Sequence, residues 1–99
     1  MAGALPHYLC SDLVVLKTAA GEATVNLEEI WSAGALLDTE GPVEEGISAV
    51  VRGGGHGFSG RVVRVSRHEF GWHVEVEFSP LTPWSPERFE PDHMVDISG

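Results

Sequence analysis

The sequence predicts an all-β domain, a small barrel or sandwich. Three observations carry that reading. The chain breaks into short apolar or alternating segments. Turn signals recur at strand-like spacing between them. No stretch holds the 3.6-residue apolar period of a long amphipathic helix.

The elements follow in order. Leu13-Val14-Val15-Leu16, bounded by Asp12 and Ala19-Ala20-Gly21, reads as a short buried strand. A second strand begins near Ala23, with Val25, Leu27 and Glu29 on one parity and Asn26, Glu28 and Ile30 on the other. Gly34 punctuates, and Ala35-Leu36-Leu37 resumes an extended course up to the turn cluster Asp38-Thr39-Glu40-Gly41-Pro42. Ile47 to Arg52 reads as a strand, Gly53 to Gly57 as a flexible turn, and Phe58 to Ser66 as the returning strand. After a connection over Arg67–Gly71, Trp72, Val74, Val76 and Phe78 alternate with His73, Glu75 and Glu77. That period of two is the signature of a strand with one buried face.

Beyond Pro80 the character changes. Pro80, Pro83, Pro86 and Pro91 interrupt Trp84 and Phe89. So much proline cannot sit in a central strand. The segment reads as an irregular strap over 81–99, laid on the barrel by Trp84 and Phe89. Ser85 and Pro86 suit the start of one helical turn at Pro86–Phe89.

At 99 residues and 42% hydrophobic, the chain supports one modest core, and positions 1–99 read as a single domain. No apolar run is long enough for a membrane span. The start Met-Ala-Gly-Ala-Leu-Pro lacks the pattern of a secretory signal. Lone Cys10 excludes an internal disulfide and suits a reducing compartment. A cytoplasmic location is expected. Fifteen acids against six bases give a net charge of −9, which disfavours general nucleic-acid binding. Five of the six bases are Arg52, Arg61, Arg64, Arg67 and Arg88. Arg61, Arg64 and Arg67 read either as a charged strand edge that resists aggregation or as an anion or acidic-partner patch.

The chemical motifs are weak. Gly55-His56-Gly57-Phe58-Ser59-Gly60 matches Gly-x-Gly-x-x-Gly, but it leads into the β-branched run Arg61–Val65 rather than a helix. A hairpin tip is the expectation. His7, Cys10, His56, His68, His73, Asp92 and His93 include only one tight pair, His7-x-x-Cys10, and no four-ligand set, so no metal is expected. His68 and His73 bracket a turn across which they can meet. Cys10 lacks an oriented base and reads as structural. Glu28 and Glu29, adjacent on a strand, should face opposite sides and so make no acid–base pair. No enzymatic site emerges.

One segment carries a resemblance. Glu29-Ile30-Trp31-Ser32-Ala33-Gly34, followed by Ala35-Leu36-Leu37, resembles the second ligand motif of PilZ domains, Asp/Asn-x-Ser-x-x-Gly with an apolar tail. PilZ domains are small β-barrels that bind cyclic di-GMP. The likeness covers approximately Asp12 to Pro80 and includes Val76-Glu77-Phe78. It implies a six-stranded antiparallel barrel over about 12–80. Gly34 keeps the motif, whereas Glu29 lengthens its first acceptor and Trp31 replaces its serine. The family's Arg-x-x-x-Arg motif is missing, since no arginine precedes Arg52. Two lost charge-assisted contacts would remove about 3–6 kcal/mol of ligand binding.

The resemblance therefore implies a non-enzymatic signalling or adaptor module with cyclic di-GMP binding weak or lost, no cofactor, and a protein partner. One alternative is a working cyclic di-GMP receptor that uses non-standard arginines. Another is an unrelated β-barrel that binds peptides. Trp31 bears on all three, as a packed residue, a partner-facing anchor or a platform for a base.

Overall fold

A computed structural model describes residues 6–97, and residues 1–5, 98 and 99 lie outside the described part. Among the described residues there is no helix, and none is long and apolar enough to cross a membrane. The strands are β1 (His7–Thr18), β2 (Gly21–Trp31), β3 (Gly34–Thr39), β4 (Ser48–Gly53), β5 (His56–His68), β6 (Gly71–Phe78) and β7 (Val95–Asp96). The first six run in the order β2-β3-β6-β5-β4-β1, and pairing of β1 with β2 closes them into an antiparallel barrel. The seventh adds to β1 through Tyr8↔Asp96 and Leu9↔Val95.

Alternation sends one side of each strand inward. Val14 and Leu16, Ala35 and Leu37, and Val74 and Val76 are all buried. Phe58 stacks on Phe78 with ring centroids 5.4 Å apart, filling the interior with side chains. Two glycines let neighbouring strands approach β6. A Cβ on Gly34 would strike the carbonyl oxygen of Val76, and one on Gly60 that of Glu77.

Several boundaries differ from the sequence expectation, for identifiable reasons. The barrel begins at His7 rather than near Asp12, because β1 continues through a bulge between Leu9 and Asp12 that hides its alternation. Leu13 is 68% exposed, so the apolar run Leu13–Leu16 is a one-faced strand and not a buried one. A bulge between Val62 and Arg64 likewise masks the full length of β5, which reaches His68. The connection to β6 then shortens to Glu69-Phe70. The glycine run is also tighter than expected. Gly54 and Gly55 both have positive φ, 59° and 80°, and form a two-residue turn between paired Gly53 and His56. Gly57 and Gly60 belong to β5, and the Gly-x-Gly-x-x-Gly match opens a strand.

The strap lies over the barrel as its aromatics suggest. Trp84 and Phe89 are buried, and the Trp84 Nε1–H donates to the Phe89 carbonyl at 2.8 Å. Tyr8 meets Trp84 edge-on at 5.6 Å. The expected helical turn is a hydrogen-bonded turn, in which the amides of Arg88 and Phe89 donate to the Ser85 carbonyl. Phe89 packs on the glycine tip so closely that a Cβ on Gly53 would lie 2.7 Å from its ring. The short strand β7 differs from the irregular strap expected after four prolines; it forms where Val95 and Asp96 pair with Leu9 and Tyr8, just before the β1 bulge.

Trp84→Ala should cost about 3–5 kcal/mol, a large share of what a domain this small possesses. A urea titration followed by circular dichroism checks it, and a loss below 1 kcal/mol would show that the strap is dispensable.

Candidate functional site

The local geometry starts at the closing pair of strands. From their turn, β1 and β2 run in register from Thr18↔Gly21 to Asp12↔Leu27, then slip by one residue, so that Leu9 faces Glu29 and His7 faces Trp31. Without the slip His7 would lie opposite Ser32. On β2, Leu27 and Ile30 are both fully buried, while Glu28 and Glu29 are both half-buried. The expectation that those two glutamates face opposite sides therefore fails at a bulge, which sends neither into the core. They also take different partners: the Asn26 side-chain amide donates to Glu28, and His7 Nε2 lies 2.7 Å from Glu29 Oε1.

Trp31 ends β2, and Ser32-Ala33 turn the chain into β3. Its indole stacks on the His7 ring, centroids 4.6 Å apart at an interplanar angle of 20°. It also covers Gly34, where a Cβ would lie 3.0 Å from Trp31 Cζ2. Trp31 is thus neither a core residue nor a free protrusion but a half-buried platform fixed by His7 and Gly34.

Around this platform lies a groove of about 450 Å³ on the outer face of the barrel. Glu29, Trp31, Leu36, Arg64, His73 and Glu75 contribute to its walls. Of the three arginines grouped by sequence, only Arg64 reaches it. Arg61, opposite Glu77, faces a separate hollow of about 710 Å³ with Lys17 and Ser59. Arg67 lies opposite Trp72, on the parity of buried Val74 and Val76, with its guanidinium 5.7 Å from the Trp72 ring centroid. The trio is divided, and Arg61 and Arg64 each sit across from a glutamate.

A second cluster joins three strands. His68 Nε2 is 2.7 Å from Asp38 Oδ1, and the His68 and His73 rings lie 4.4 Å apart. Asp38 and His73 are direct cross-strand partners on β3 and β6, whereas His68 closes the β5–β6 hairpin. The sequence pointed to a meeting of the two histidines but not to Asp38, which it placed in a turn. The missing signal was the β3–β6 register, a pairing between strands distant in sequence.

The pair His7-x-x-Cys10 does not act together: His7 is engaged by Glu29 and Trp31, and Cys10 is buried in the β1 bulge. Burial, with Asp12, Glu28 and Glu29 nearby, pushes the Cys10 thiol up to about 12. Comparison with known proteins gives no match to a family model, to a curated protein or to a solved structure.

Two outcomes are expected. Cys10 should resist iodoacetamide at pH 8 in the folded chain and react once denatured, as measured by mass spectrometry. Because the folded thiol keeps its proton beyond the pH at which the unfolded one ionises, stability should fall as pH rises from about 9 towards 12. Cys10→Ala should flatten that slope in urea titrations. Trp31→Ala should leave a folded barrel and cost about 1–3 kcal/mol, less than Trp84→Ala; a loss equal to that of Trp84 would make Trp31 a core residue.

Proposed function

We propose that this chain is a non-enzymatic, PilZ-like binding module that acts through a protein partner at the Trp31 groove, with cyclic di-GMP binding weak or lost. The observation that carries this reading is the coupled trio His7, Glu29 and Trp31. The carboxylate that stands where the PilZ motif has its acceptor already holds a histidine. The indole that stands in the small serine's place is stacked on that same ring. A fixed, half-buried aromatic beside Leu36 suits the anchor region of a protein interface, since little side-chain entropy is left to lose on binding.

Charge supports the same reading. The groove offers one arginine, Arg64, together with Glu29 and Glu75. A cyclic dinucleotide dianion would meet two carboxylates for one guanidinium there, on a chain of net charge −9. Arg64 is also what favours the rival reading, a receptor built on non-standard arginines, because it supplies one cationic contact beside the motif-equivalent residues.

Calorimetric titration with cyclic di-GMP at low and physiological salt tests the proposal. No saturable heat is expected up to ~100 μM ligand. Micromolar binding abolished by Arg64→Ala would establish the receptor reading instead. On the partner side, a protein retained by the wild-type chain should be lost by folded Trp31→Ala; retention by both would move the interface elsewhere.

A further inference from the structure

We infer that Asp38, His68 and His73 form a binding site for a divalent transition-metal ion of the zinc class. This inference is independent of the partner reading. One donor atom from each residue lies within 4.8 Å of the other two, and all three residues are half-buried. Tetrahedral ligands about 2.0–2.1 Å from zinc stand roughly 3.3–3.5 Å from one another, so closure needs only small side-chain movements. Two imidazoles and one carboxylate suit zinc, nickel or iron(II) and leave coordination positions open. They do not suit magnesium or calcium, which take oxygen donors.

The frame is prepared for an ion. Asp38 and His73 are fixed opposite each other on paired strands, and His68 sits at the neck of a two-residue hairpin. Opposite His68 is Gly71, where a Cβ would strike the Thr39 carbonyl oxygen at 2.5 Å, so the glycine lets β6 close on β3 beside the three side chains. The His73 ring nitrogens make no hydrogen bond among the described residues, so their lone pair is uncommitted. His73 also lines the Trp31 groove, which places the ion at one end of it.

Loading has a structural consequence at the hairpin tip. The Phe70 amide donates to His68 Nδ1 at 3.2 Å, so the neutral ring carries its proton on Nε2 and donates it to Asp38. An ion bound at Nε2 needs that proton on Nδ1, where it collides with the Phe70 N–H. The proton changes nitrogen, the Phe70 amide turns away, and Asp38 exchanges a shared proton for the ion. Phe70, 85% exposed, would be repositioned by metal.

The test titrates the full, tag-free chain with Zn²⁺ by calorimetry and with Co²⁺ by visible absorption. One ion per chain is expected, with Co²⁺ bands of a low-coordinate site. His68→Gln, His73→Gln and Asp38→Asn should each weaken zinc by at least about tenfold, and Ca²⁺ should not compete. Amide and ring NMR shifts on adding Zn²⁺ should centre on His68, Phe70 and His73, a readout that needs no variant to fold. The inference is overturned by an absence of saturable Zn²⁺ binding below ~100 μM, by affinity unchanged in all three variants, by displacement with Ca²⁺, or by shifts centred on His7, His56 or His93.

Discussion

Everything in this protein depends on the closing pair, β1 against β2. A six-stranded sheet left open would expose two long edges, each a row of unpaired amides and carbonyls. Closure removes them, but strands that wrap a small barrel must tilt and bend. The bend is taken up where Cys10 and Ser11 oppose Glu28, and the register slips by one residue. That slip gives the outer surface its chemistry. It aligns His7 with Trp31 and lets His7 reach Glu29, while a second bulge, of β2 against β3, turns two adjacent glutamates away from the core.

The interior, by contrast, carries no chemistry. Thr39 is its one buried polar residue among those described, and its hydroxyl is satisfied by the Gly41 carbonyl. No buried side-chain polar atom among the described residues lacks a partner. A barrel this small fills itself with side chains, so its outer face is the surface open to other molecules. The strap reinforces this division. By burying Trp84 and Phe89 against Tyr8 and the glycine tip, it adds apolar area to that of the six barrel strands.

The succession of strands along the chain and the one-sided burial of β6 were legible because both are local. Period-two patterning at Trp72–Phe78 and turn residues between runs reflect backbone rules that act within a few positions. The bulges were not legible. Each inserts a residue that breaks alternation, so His7–Cys10 fell outside the expected barrel and Arg67-His68 read as a connection. Site residues suffered most. Grouping Arg61, Arg64 and Arg67 by sequence distance missed the bulge at Val63, which keeps Arg61 and Arg64 outward and turns Arg67 towards Trp72. Asp38 looked like a turn residue because Thr39, Glu40 and Gly41 follow it. Only the pairing of β3 with β6, set by barrel closure, brings it beside two histidines.

The two surface features share an origin and a residue. The platform at Trp31 and the cluster at Asp38 both lie on the outward parity of β3 and its neighbours, and His73 belongs to both the groove and the cluster. Along that face acids and bases alternate: Glu29 with His7, Glu75 opposite Arg64, Asp38 with His68. On a chain of net charge −9, Arg64 is one of only six basic residues, and it shares with His7, His68 and His73 the face that also carries a fixed aromatic. The proposed partner groove and the proposed metal site thus share one outer face of β2, β3, β5 and β6, backed by a closed barrel.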